Sequence, residues 1–194
     1  MERTEAQHPR YEPGQGWSYS NIGYLIVREL IEETVGLDLS RAISRLVLLP
    51  LGISGVHIAQ TRNELANVAM GTAGAYHPGW VYHGLAVGRL REAAFLLDRL
   101  MTGTMLLPDL LEAMCEAHPV GGRIPGRPWK CPGYGLGVMS GVTSSGHRAI
   151  GHTGAGPGSV IAVYYRPEAR LRTVAAFAFG DDQGQVEETA FSTS

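Results

Sequence analysis

The apolar positions of this chain follow two different periods. From Asn21 onward Ile22, Leu25, Ile26, Leu30 and Ile31 recur at steps of three and four. The run closes at Val35 before Gly36, the pattern of an amphipathic helix with a glycine stop. Leu39 to Leu49 repeats the pattern behind a capping Asp38, with Ala42, Ile43, Leu46 and Val47 on one face and Pro50 as terminator. Arg89 to Met101 keeps Leu90, Ala93, Ala94, Leu97 and Leu100 in phase, and Pro108 to Ala117 opens with Pro and Asp in its first turn. Between these pairs, Gly52 to Gly88 has no clear period and reads as a long loop, the kind that is functional or unstructured in a compact domain.

Past Val120 to Pro132, a Gly-, Pro- and Arg-rich stretch that reads as a boundary, the pattern changes to short apolar runs. Leu136 to Ser140, Arg148 to Gly151, Val160 to Arg166 and Leu171 to Phe179 are strand candidates, with turns at 141–146 and 167–170. Such short connections predict an antiparallel meander. Gln185 to Phe191 opens like a terminal helix and stops early. The fold class is α+β: a helical region over residues 1–131, then a sheet region over 132–194.

Composition adds bounds. A hydrophobic content of 44% with 18% charged residues suits a globular core. The net charge of -2, without any charge run, argues against nucleic acid or an anionic membrane surface as partner. No stretch approaches the length of about eighteen apolar residues that a membrane helix needs. Met1 to His8 is polar, with no apolar core for a secretion signal, and the compartment is left open. Cys115 and Cys131 fit no zinc spacing, and His77 and His83 have no carboxylate at ligand spacing, so neither a metal nor a cofactor is expected.

Two motifs carry candidate chemistry. Tyr19-Ser20-Asn21 stands where the Gly/Pro-rich loop Pro13 to Gly16 runs into the first helix, a position from which side chains can face a cleft while the helix buries its stem. The same residues also suit plain structural roles, Asn21 near a helix cap and Tyr19 as a half-buried aromatic. Far downstream, Gly151-His152-Thr153-Gly154-Ala155-Gly156-Pro157-Gly158 lies between strand-like runs, where glycines let another molecule approach the backbone. It also reads as a Gly-rich hairpin with His152 as a polar turn residue.

In this order the two motifs resemble the second and third motifs of the serine beta-lactamase-like superfamily, the penicillin-recognising enzymes. The intervening text supports the resemblance: a helix ending at Gly36, then Leu49-Pro50-Leu51-Gly52-Ile53, then Tyr134-Gly135-Leu136-Gly137-Val138. The usual third motif is Lys-Thr-Gly; the His-Thr-Gly form is similar to that of some D-alanyl-D-alanine carboxypeptidases and related esterases and D-aminopeptidases. The resemblance runs from Pro13 to Phe179 and implies a beta-lactamase/transpeptidase-like fold. On that fold both regions are parts of one incomplete catalytic domain.

The resemblance also implies roles. Tyr19 would sit beside the nucleophilic serine and the lysine of a Ser-x-x-Lys motif, and Asn21 would orient that lysine and donate to the substrate. His152 would hydrogen-bond to Tyr19 or to a substrate carboxylate. Thr153 would offer its hydroxyl to a terminal carboxylate, Gly154 would permit close approach, and the Ala155 N–H would be one oxyanion donor. The Ser-x-x-Lys motif itself is missing: the sole lysine is Lys130, three positions after Arg127. Tyr76, Trp80 and Tyr82 fall where the family lines its cleft.

The resemblance therefore implies the C-terminal portion of a serine hydrolase working through an acyl-enzyme on a peptide, ester or lactam bond. Carboxypeptidase or esterase chemistry is favoured, and the chain alone is expected to be inactive. The alternative is a non-catalytic binding or interaction domain derived from the family. Partners would be a small-molecule or peptide substrate and a complementing N-terminal fragment or a second copy. The missing strands should leave one sheet edge unpaired and part of the face of Ala162, Tyr164, Val174, Ala176 and Ala178 exposed.

Overall fold

The computed structural model describes residues 10–72, 76–103 and 105–193. The polar stretch Met1 to His8 lies outside them. Two compact units are distinguished, one of Met1–Val68 with Gly74–Gly88, the other of Ala69–Ala73 with Arg89–Ser194.

In the first unit α1 spans Asn21–Val35 and α2 spans Leu39–Ile43, continued by a π-helical turn over Ser44–Leu48. The cap of α1 is Ser20, whose hydroxyl accepts from the Gly23 N–H at 3.1 Å, so Asn21 is the first helical residue. Gly36 ends the helix at φ 68, a left-handed conformation that costs glycine nothing. Asp38 caps α2 by accepting from the Arg41 N–H at 2.9 Å. The stem of α1 is less enclosed than its periodicity predicts: none of its residues is fully buried, and Leu30 is 60% exposed. The long loop contains β1, His57–Ala59, and β2, Leu85–Val87, paired antiparallel, plus single 3₁₀ turns at Arg62–Leu65 and Pro78–Trp80. Three-residue strands are too short to show a period.

The second unit is a sheet with helices on it. α3 spans Leu90–Thr102 and α4 spans Pro108–Cys115. The strands are β3 (His118–Pro119), β4 (Trp129–Cys131), β5 (Gly133–Tyr134), β6 (Met139–Thr143), β7 (Arg148–Gly156), β8 (Ser159–Tyr165) and β9 (Thr173–Phe179). Among the described residues they run in the order β3-β5-β6-β7-β8-β9, with β4 beside β6, and every pair is antiparallel. The Gly/Pro/Arg-rich boundary stretch thus contains a strand. It places Trp129, 1% exposed, in the core.

The last helix, α5, spans Gln183–Ser192, capped by Asp182, whose side chain accepts from the Gln185 N–H. It packs on β8 and β9 and buries Gly184, Val186, Glu187 and Ala190. Glycine at 184 is required: a Cβ there would stand 1.8 Å from the Gly126 carbonyl oxygen. Arg166 holds the helix's other end, donating to the carbonyls of Phe191 at 2.5 Å and Thr193, groups that a helix C-terminus leaves unpaired.

This helix corrects one expectation. Ala162, Tyr164, Val174 and Ala176 are buried, and Ala178 is partly so, because α5 covers their face. On the opposite face α3 is tied down by the Thr173 hydroxyl, which donates to Asp98 Oδ1 at 2.9 Å. What stays open is the far end of β9, where Phe177 is 38% and Phe179 69% exposed, their rings edge-on at 5.3 Å.

Candidate active site

β7 carries the His-Thr-Gly motif inside a regular strand. Cross-strand pairs put Gly151, Tyr164 and Val174 on one face with Thr153, Ala162 and Ala176, while His152, Val163 and Ala175 point to the other. β6 pairs with β7 only from Met139↔Gly151 to Val142↔Arg148. From His152 to Gly156 the strand is therefore paired, among the described residues, with β8 alone, and its other edge runs past the end of β6.

His152 is partly buried and held at both ring nitrogens. Nδ1 lies 2.8 Å from the Thr153 carbonyl oxygen and Nε2 lies 2.8 Å from the Tyr134 hydroxyl. A carbonyl can only accept, so Nδ1 carries the proton and, in the neutral ring, Tyr134 donates to Nε2. Burial lowers the histidine's pKa, with Arg127 acting the same way against the opposing effects of the Thr153 carbonyl and Glu187. The ring is thus neutral at pH 7. Tyr134, read from sequence only as part of a glycine-spaced run, is its partner, at the strand turn just before β6.

Thr153 turns inward. Its hydroxyl donates to Glu187 Oε1 at 2.5 Å and lies 2.8 Å from the Tyr164 hydroxyl. Glu187, fully buried, also accepts from Tyr164 at 2.9 Å, from Trp129 Nε1 at 3.1 Å and from the guanidinium of Arg127, which grips both carboxylate oxygens. Burial and the facing Glu187 push the Tyr164 phenol well above its ordinary value. Burial works against the charge on Arg127, but the hydrogen bond and charge of Glu187 outweigh it and hold the guanidinium above its usual value. Gly154 and Ala155 come next along the strand, Ala155 exposed.

The Tyr-Ser-Asn motif lies in the first unit. Tyr19 is 49% exposed and stacks at 5.7 Å on Tyr24, which in turn meets His83 at 5.7 Å. Partial burial and the Tyr24 phenol raise the pKa of Tyr19. Asn21 is exposed at the start of α1, and its side chain is not the cap. Tyr76 meets Trp80 edge-on at 5.3 Å, and Trp80 and Tyr82 are more than half exposed. Among the described residues no group of His, Cys, Asp or Glu is placed to hold a metal, and no helix is long and apolar enough to cross a membrane.

A mixed α+β chain with an antiparallel sheet, a Tyr-Ser-Asn motif at a helix start and a His-Thr-Gly motif on a strand belongs to the class with the beta-lactamase/transpeptidase-like fold. The model of the beta-lactamase family matches residues 1–190, and the chain is a member of that family. The structure is similar to the D-stereospecific amidohydrolase of Streptomyces sp., with TM-score 0.75, 23% identity, 96% of this chain and 58% of that one covered. It is also similar to the D-amino acid amidase of Ochrobactrum anthropi SV3 in complex with D-phenylalanine, at TM-score 0.74 and 18% identity over 100% of this chain and 63% of that one. For the octameric penicillin-binding protein homologue from Pyrococcus abyssi the values are 0.70 and 19%, over 93% and 42%. Penicillin-binding protein 4* of Bacillus subtilis (strain 168) is 33% identical over 52 residues, 27% of this chain and 12% of that protein. The chain spans 42 to 63% of the length of the three structures.

Proposed function

We propose that this chain supplies the Tyr-Ser-Asn and His-Thr-Gly part of a serine hydrolase site that cleaves amide or ester bonds through an acyl-enzyme. D-amino-acid amides and D-alanyl-D-alanine-type peptides, or simple esters, are the favoured substrates. The observation that carries the reading is the His152 ring, held between Tyr134 and the Thr153 carbonyl, on a strand whose edge from His152 to Gly156 has, among the described residues, no strand partner beyond β6. An open strand edge offers main-chain N–H and C=O groups to an extended substrate. The names of two similar structures, a D-stereospecific amidohydrolase and a D-amino acid amidase, support amide bonds as the target.

In this reading Tyr19, Asn21 and His152 are the catalytic side chains, and Thr153, Gly154 and Ala155 bind substrate. Because the Thr153 hydroxyl is engaged by Glu187, its contribution is through the main chain. The Ala155 N–H is one oxyanion donor. Tyr19 has its pKa raised, the opposite of what proton acceptance needs, so the lysine of a Ser-x-x-Lys element supplied by another segment is what would make its anion accessible. The chain contains no such element, which makes it inactive alone.

Intact-mass spectrometry after incubation with benzylpenicillin and, separately, an activated p-nitrophenyl ester tests this. The expected result is no adduct with the chain alone, and a stoichiometric acyl adduct on a Ser-x-x-Lys fragment mixed with it, lost in Tyr19→Phe and His152→Ala. No adduct in either mixture overturns the reading in favour of a non-catalytic binding domain.

A further inference from the structure

Glu187 belongs to neither motif, yet its carboxylate accepts from four side chains of the second unit. A carboxylate removed wholly from water is costly, and pairing it with one guanidinium recovers that cost only when its other lone pairs are filled. Here they are filled: Arg127 donates to both oxygens, Trp129 Nε1 to Oε2, and the Thr153 and Tyr164 hydroxyls to Oε1. Replacing a buried ion pair by an apolar plug of similar volume is often neutral or stabilising, so stability alone does not account for the carboxylate. What an apolar plug lacks is a directional grip on Thr153.

That grip falls where the strand is otherwise least constrained. At Ile150 and Gly151 β7 has strands on both sides; from His152 on it has, among the described residues, only β8. Side chains alternate along a strand, so holding the Thr153 hydroxyl on the α5 face fixes the roll of the backbone and sends His152 to the opposite face. The same roll aims the Thr153 carbonyl that accepts from His152 Nδ1 and so selects the ring's tautomer. We infer that buried Glu187 is the positioning residue of this site, holding Thr153 from beneath so that His152 is presented as a single Nδ1–H tautomer with Nε2 toward Tyr134.

The role of Glu187 rests on His152 belonging to the site, and its test reads the ring rather than turnover, so that either can fail alone. Histidine ring 15N–1H correlation spectra of the full chain, with His152 assigned by its loss in His152→Gln, report the protonation of each nitrogen. In the wild type His152 should show one protonated and one unprotonated nitrogen at pH 7.5, Nδ1 being the protonated one. Thr153→Val keeps the shape and removes the hydroxyl, and Glu187→Gln keeps the size and removes the charge. Each should collapse that pattern to a tautomer average, while Thr153→Ser restores it. A wild-type ring that is already averaged, or a folded Thr153→Val chain with unchanged ring signals, overturns the inference; should Glu187→Gln fail to fold, the Thr153 pair decides it.

Discussion

The Tyr134 hydroxyl lies 2.8 Å from Nε2 of His152, and the Thr153 carbonyl lies 2.8 Å from Nδ1. Burial of the ring disfavours its charged form and lowers the histidine's pKa, outweighing the Thr153 carbonyl, which favours that form. The unfolded chain, titrating near pH 6.5, then takes up the proton first. Stability from this ring is complete above about pH 6.5 and is lost as pH falls through that value toward the lower folded one. His83, whose pKa burial also lowers, adds to the same slope. Thermal unfolding between pH 7.5 and 5 should show Tm falling with pH, and His152→Gln should flatten part of the fall. An identical slope in the variant would contradict this.

Removing the Glu187 carboxylate leaves Arg127, mostly buried, and two hydroxyls without their acceptor. Glu187→Ala should cost about 3–5 kcal/mol, read as a fall in Tm of about 6–20 °C. Trp129→Phe keeps an aromatic ring against Tyr164 and Phe191 but loses the Nε1 donor. Its expected cost is about 1–3 kcal/mol by urea unfolding.

Two glycines of the same strand should answer alanine differently. At Gly151 a Cβ would stand 2.0 Å from the Val163 carbonyl oxygen and 2.8 Å from the Tyr164 Cα, backbone that cannot yield. Gly151→Ala is expected to be insoluble or unfolded. At Gly154 the nearest atom is the Ile161 Cγ2 at 3.2 Å, a side-chain tip. Gly154→Ala should fold with stability changed by less than about 1 kcal/mol. Circular dichroism and melting of the two variants side by side check the contrast.

The helices were legible because their periods are long: α1, α3 and the start of α2 fall where the apolar spacing predicts. The meander was legible too, with ends displaced by a few residues, β6 running through Gly141 into the stretch read as a turn. β4 was hidden because a three-residue strand between Pro128 and Pro132 carries no period. The buried carboxylate was hidden for a different reason. Glu187 stands beside Glu188 in a polar helix, a pattern that ordinarily marks a solvated face, and its partner Arg127 is 60 positions away. Tyr134 lies 18 positions from His152, and only the pairing Tyr134↔Met139 followed by Met139↔Gly151 brings them together.

β9 ends the described sheet as an edge strand with exposed Phe177 and Phe179 and neither lysine nor proline to blunt it. Sedimentation of the chain over a range of concentrations should show mass rising with concentration, and Phe179→Lys should suppress the rise. A wild-type chain that stays monomeric throughout would count against pairing at this edge.

β7 outruns β6 by the length of the motif, from His152 to Gly156. Main-chain groups look alike in every residue of a peptide, so an edge of this kind reads the course and direction of a bound chain and is blind to its side chains. Whatever docks there by its backbone is accepted as a class of molecules. Discrimination among members of that class has to come from walls built by other segments.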